Sequence, residues 1–129
     1  RCLSGQLHSF KVLETDLSYA FLDKFPIAEG HTQIIPKYHC NRMDELPDEY
    51  LAEILLLAKK VAKANGLPEY NILQNNGATA FQHIFHVHFH VIPKPNEAEG
   101  LKLTIESWPG HERTDDELAI SLKNMHAKL

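Results

Sequence analysis

Three histidines, His86, His88 and His90, stand two residues apart within the stretch 82–93, and Val87, Phe89 and Val91 alternate with them. Strict alternation with β-branched and aromatic residues predicts a half-buried strand. Successive side chains of a strand point to opposite faces, so the three imidazoles share one face and the apolar residues the other. At roughly 3.3 Å per residue the row is about 13 Å long, enough to line a small-molecule site. It could be no more than a histidine-rich polar face. It could be a metal site, since imidazoles at i and i+2 can share one ion. Or one imidazole could attack as a nucleophile while its neighbours orient it and handle protons. Spacing alone does not separate the last two.

The elements that would position this row follow in order along the chain. Residues 7–13 and 19–22 read as two short strands around a turn at 14–16, and 31–35 as a third, stopped by Pro36. Residues 47–64 carry the clearest helix. Pro47 suits its first turn, and Leu51, Ile54, Leu55, Ala58, Val61 and Ala62 form one apolar stripe. Acidic residues lie near its start and lysines near its end, and Gly66 and Pro68 stop it. Residues 71–75 read as a fourth strand and the histidine row as a fifth, ended by Pro93 and Pro95. This predicts one domain over 1–95 and a C-terminal extension over 96–129. In the extension Thr114 and Glu117 have capping-box spacing, and Leu118, Leu122, Met125 and Leu129 mark an amphipathic helix over about 115–129, expected to pack on the same unit or across a dimer. Antiparallel strands with one helix between the third and fourth make the fold class α+β.

Composition narrows the function classes. The chain has 129 residues, 43% of them hydrophobic, which is enough for one core. Its net charge of −4 argues against a nucleic-acid-binding surface. No apolar run approaches the length of a membrane span, so no membrane partner is expected. With only Cys2 and Cys40, a disulfide framework is not expected and a reducing compartment fits. No signal peptide is visible. Because the first residue is Arg1 rather than Met, part of the natural N-terminus is expected to precede it.

His86-Val87-His88-Phe89-His90-Val91-Ile92 resembles the signature of the histidine triad (HIT) family, His-φ-His-φ-His-φ-φ with φ apolar. Leu22-Asp23, Pro26, His31 and 34–39 resemble the family's first half, and Asn75-Asn76-Gly77 with Gln82 resembles the loop before the triad. The resemblance runs over roughly residues 7–95 and is nearest the Hint branch, particularly its fungal adenosine 5′-monophosphoramidases. It implies a five-stranded antiparallel sheet with one main helix on it, joined to a second sheet across a homodimer. It also implies a hydrolase acting on purine nucleotides, without a cofactor, in the cytoplasm and/or nucleus. The expected reaction splits the P–N bond of adenosine 5′-monophosphoramidates, including AMP-lysine-like adducts, through a covalent nucleotidyl-histidine. The alternatives are a diadenosine polyphosphate hydrolase of the same fold and a nucleotide-binding regulatory module with little turnover.

Residue by residue, the resemblance makes His88 the nucleophile, its other ring nitrogen held by a backbone carbonyl. It makes His90 the group that meets the leaving group and phosphate, as an imidazolium that supplies the proton or positions the amine. His86 and His31 become supporting histidines. Asp23 becomes the carboxylate that accepts from the ribose hydroxyls. Asn75 and Gln82 become polar contacts on the phosphate and leaving-group side, and Phe21, Leu22 and Ile27 the candidate walls of a base pocket. The chain departs from the pattern at Phe81, usually a small or polar residue, and at His83, often Ser, Thr or Glu. An imidazole at His83 can donate to phosphate, although its strand parity is opposite to that of the triad. Some family members bind zinc through a Cys-x-x-Cys pair and two histidines. His39 and His86 stand at the histidine positions, the cysteine pair does not occur, and no metal is expected.

Overall fold

The computed structural model describes residues 10–129. Five strands form one antiparallel sheet: β1 (Lys11–Glu14), β2 (Ser18–Leu22), β3 (Thr32–Pro36), β4 (Tyr70–Gln74) and β5 (Phe89–Pro93). Their spatial order is β1-β2-β3-β5-β4, so β5 lies between β3 and the edge strand β4. The α+β reading and the five-stranded sheet hold, with residues 7–9 of the first expected strand outside the described residues.

Helix α1 (Asp48–Asn65) joins β3 to β4 and covers one face of the sheet. Its backbone leaves Gly66 in the left-handed region at φ 70°, where glycine carries no Cβ penalty. Pro47 precedes the helix rather than entering its first turn, and its carbonyl accepts from the N–H groups of Tyr50 and Leu51. The buried stripe is Ile54, Leu57, Ala58, Val61 and Ala62. Leu55 does not belong to it: Leu55 is 61% exposed, whereas Leu57 is 3% exposed. Both fit helical spacing, and the sheet decides which sector of the helix it covers.

Residues paired across strands share a face. Ala20, Ile34 and Phe89 form one row and pack, with Val87, Val91 and Leu46, against the stripe of α1. The adjacent row is Phe21, Gln33, His90 and Leu73, which therefore looks away from α1. This register places His90 on the open face, beside Gln33.

The fifth strand is shorter than its alternation predicts. It begins at Phe89, so His86 and His88 lie ahead of the ladder. The N–H of Val87 donates instead to the carbonyl of Cys40 at 2.8 Å, tying the approach to β5 to the segment after β3. Alternation of burial nevertheless continues through this extended stretch: Val87, Phe89 and Val91 are buried and the three histidines are half-buried.

Helix α2 (Asp115–His126) starts with the expected capping box. The Thr114 hydroxyl accepts from the Glu117 N–H at 3.2 Å, and the Glu117 carboxylate accepts from the Thr114 N–H at 2.9 Å. Every residue of α2 is exposed on the single chain. No helix among the described residues is long and apolar enough to cross a membrane.

Candidate active site

Five residues read from the sequence come together: Asp23 after β2, His31 at the entry to β3, and His86, His88 and His90 on the approach to and within β5. The ring protons are assigned from the hydrogen-bond network. His88 Nδ1 lies 2.7 Å from the carbonyl oxygen of His86. A carbonyl only accepts, so this nitrogen carries the proton. The neutral ring then keeps its lone pair on Nε2, a nucleophilic nitrogen held in a fixed direction.

On one side of His88 stands a second directed chain. The Ile27 N–H donates to His31 Nδ1 at 3.2 Å, which leaves the His31 proton on Nε2. That Nε2–H faces His90 Nδ1 at 2.9 Å and Asp23 Oδ2 at 3.5 Å, both acceptors. His90 accordingly accepts at Nδ1 and presents an N–H at Nε2. The His88 and His90 rings meet edge to face with centroids 5.0 Å apart. Burial pushes the His90 pKa down to about 4, helped by His88 and His31 and opposed by Asp23. The expected imidazolium is therefore corrected: in the ligand-free site His90 is a neutral N–H donor. His31 is also held below the ordinary histidine value, by burial and against the pull of Asp23.

On the other side, His86 Nε2 donates to the Pro36 carbonyl at 3.1 Å. Its Nδ1 must then accept, and the donor is His39 Nδ1–H at 2.8 Å. Both ring nitrogens of His86 are occupied, while its backbone carbonyl orients His88. Burial lowers the His86 pKa, with Pro36 opposing and the neighbouring His39 and His88 assisting.

Asp23 is nearly buried, its side chain 13% exposed. Its Oδ1 accepts from the Phe25 N–H at 2.8 Å and its Oδ2 from the Gln33 amide at 2.8 Å. Burial alone would raise its pKa. The Gln33 and Phe25 bonds, with His31 and His90, outweigh that and hold it below the ordinary carboxylate range. Each oxygen keeps lone-pair capacity for a further donor. Gln33 was not singled out by sequence. Its position one residue before the core-facing Ile34 puts it on the site face, which was the available signal.

The remaining candidates fall around this cluster or away from it. Phe21 is half-buried on the open face, in edge contact with Tyr19, and Ile27 is exposed beside His31. Leu22 is corrected: it pairs with Thr32, which pairs with the core residue Val91, so it lies on the α1 face of the sheet and does not wall a pocket on the open face. Gln82 is corrected. It is 2% exposed, and its amide accepts from the Gly77 N–H while donating to the Asn41 and Ile84 carbonyls. It is a strut that shapes the loop rather than an open ligand contact. Asn75 braces the same loop through the Ala80 carbonyl at 2.8 Å, and its Oδ1 remains available. His83 packs edge-on against Phe81, ring centroids 4.2 Å apart, and Phe81 takes the left-handed φ of 72°, a backbone conformation that favours glycine.

Among the described residues, one group brings three ligand atoms within metal-binding reach of each other: Asp23, His31 and His90. It does not fit an ion as it stands. His31 would have to bind through Nε2, which carries its proton, while the Ile27 N–H occupies Nδ1. At the position of the family's zinc, His39 and His86 bond to each other, and the Cys40 thiol donates to the Arg42 carbonyl. Cys2 lies outside the described residues.

The sequence and the fold are both similar to those of known proteins. The HIT domain model matches residues 4–97. The adenosine 5′-monophosphoramidase of Saccharomyces cerevisiae is 48% identical over 129 residues, spanning 100% of this chain and 80% of that protein. The adenosine 5′-monophosphoramidase of Schizosaccharomyces pombe is 45% identical over 129 residues, spanning 100% of this chain and 95% of that one. The crystal structure of a histidine triad nucleotide-binding protein from Candida albicans superposes with a TM-score of 0.87 at 42% identity, covering 96% of this chain and 90% of that one. By its triad, its sheet and these matches, the chain belongs to the HIT domain family.

Proposed function

We propose that this protein is a purine-nucleoside phosphoramidase that hydrolyses adenosine 5′-monophosphoramidates, AMP-lysine-like adducts among them, to AMP and the free amine. The observation that carries the reading is the 2.7 Å bond from His88 Nδ1–H to the His86 carbonyl, which leaves Nε2 free to attack. Names borne by relatives that match the whole of this chain at 45–48% identity support the same substrate class.

The anionic phosphate draws a proton from solvent onto His90 as the substrate binds. In the first step His88 Nε2 attacks the α-phosphorus. The P–N bond breaks, and the nitrogen departs with the bonding pair and takes the Nε2 proton of His90, which returns to its neutral state. Phosphorus on Nε2 makes the His88 ring cationic, with its Nδ1 proton donated to the His86 carbonyl. That charge lies one ring away from His90 and favours its neutral form, the form that can act as a base in the next step. In the second step water attacks phosphorus and the P–Nε2 bond breaks. The released proton returns to His90, and AMP leaves with the new oxygen. Asp23 accepts from the ribose hydroxyls, and Phe21 and Ile27 flank the base.

The working unit in this reading is a homodimer. Strand β4 lies at the sheet edge with Tyr70 and Ile72 exposed, α1 exposes Leu55 and Leu56, and the apolar side chains of α2 are uncovered on the single chain. A second copy would cover such an edge and such surfaces. Sedimentation at micromolar concentration should give about twice 14.7 kDa, and a monomer would refute it. For the activity, the test is AMP release from adenosine 5′-monophosphoramidate and from an AMP-lysine adduct. Release of AMP from both is expected; failure on both by a folded dimer would overturn the reading.

A further inference from the structure

Beyond the end of β5 the chain turns back over that strand. Asn96 makes the turn, its Oδ1 accepting from the N–H groups of Ala98 and Glu99, each at 2.9 Å. Gly100 is thereby buried against the Pro93 carbonyl, and its N–H donates to the carbonyl of Ile27 at 2.9 Å. Only glycine suits this place. Its φ is +91°, and a Cβ would stand 2.6 Å from the Pro93 oxygen and 3.0 Å from Lys94 Cδ. Ile27 is thus held at both ends of its backbone: its carbonyl by Gly100, its N–H by His31 Nδ1. The second bond is the one that puts the His31 proton on Nε2 and, through it, leaves the N–H of His90 on Nε2.

We propose that Gly100 is a positioning residue for the histidine chain: docking of the tail on Ile27 fixes which nitrogen of His31 carries the proton and hence which nitrogen His90 presents to the substrate. The consequence for turnover rests on the phosphoramidase reading. The clamp itself is a property of the ligand-free protein and is tested there.

The experiment compares the full chain with Gly100→Ala and with Gly66→Ala. Gly66 is also left-handed, at φ +70°, but a Cβ there meets nothing within 4 Å, so it reproduces the strain without the clash. Two-bond proton–nitrogen spectra read the protonation of each imidazole nitrogen. In the unaltered chain and in Gly66→Ala, His31 and His90 should each show a protonated Nε2 and a bare Nδ1. In Gly100→Ala both should move to mixed tautomers while His88 keeps its protonated Nδ1. Turnover of an AMP–amine phosphoramidate should fall about 10²-fold in Gly100→Ala, the scale of an ångström of misplacement. An AMP ester with a good leaving group should lose much less. A folded Gly100→Ala whose His31 and His90 signals and phosphoramidate turnover match those of Gly66→Ala would overturn the proposal. If Gly100→Ala does not fold, glycolate at position 100 removes the N–H without adding a Cβ and is held to the same two outcomes. An unaltered protein with no phosphoramidase activity would refute the functional reading and leave the ring-nitrogen result to decide the clamp.

Discussion

Two histidine pairs flank His88, and they are built alike yet do different work. In each, two imidazoles share an N–H···N bond, 2.9 Å for His31–His90 and 2.8 Å for His39–His86. The pairs differ in where the chain of donors ends. From His39 it runs through His86 into the Pro36 carbonyl, so His86 has no ring nitrogen left for a ligand. From Ile27 it runs through His31 into His90 and stops there, leaving one N–H unspent. Chemistry belongs to the pair with an open end, and support belongs to the closed pair. Residue type and spacing are the same for His86 and His90; the partner at the far end sets the role.

Removing the residue between the pairs should have the largest effect. His88→Ala takes away the whole covalent route, so turnover should drop by several orders of magnitude on amine and good-leaving-group substrates alike. Retained turnover on either substrate would break the assignment. His90→Ala removes the open end. It should reduce turnover of AMP-lysine-like substrates by ~10²–10⁴-fold and affect an AMP ester with an activated leaving group far less. Equal losses on both would mean that His90 positions the phosphate and does not serve the leaving group.

Asp23 sits beside the open pair. Asp23→Ala should weaken ribonucleotide binding by about 1–3 kcal/mol, and a 2′,3′-dideoxy ligand should then bind nearly as well as the ribonucleotide. Calorimetry showing undiminished discrimination in the variant would remove Asp23 from the ribose.

The pH dependence of stability draws on both pairs, most strongly on His90. Burial holds His31 and His86 below the ordinary 6.5 and His90 down at about 4. Between those values the unfolded chain binds more protons than the folded one, so stability rises with pH there and is lost as pH falls from 6.5 toward 4. The urea midpoint should follow that course and flatten in His90→Ala; a midpoint independent of pH would contradict it. The smallest effect is expected at the exposed end of the closed pair. His39→Ala frees only the Nδ1 of His86 and keeps the carbonyl that orients His88, so kcat/KM should stay within about 2-fold, the scale of an exposed substitution.

Local pattern carried much of this. Alternation through 86–91, the 47–64 periodicity and the Thr114–Glu117 spacing are properties of near neighbours, and the elements they imply are present. What pattern missed depends on partners far along the chain. His31 and His90 are 59 residues apart and His39 and His86 47, so the placement of ring protons was beyond any local reading. The late start of β5 follows from the Val87–Cys40 bond across the loop. Gln82 looked like an open polar loop residue until the loop closed on Asn41, and Leu55 looked as central as Leu57 until the sheet chose a sector of α1.

The central claim is that His88 Nε2 takes the nucleotide. Rapid quenching without acid, after mixing the enzyme with an adenosine phosphoramidate, preserves a P–N-linked adduct for mass spectrometry of its peptides. The account predicts a mass increase of one AMP confined to the peptide carrying His88. Absence of any adduct, together with hydrolysis that continues in His88→Ala, would contradict it.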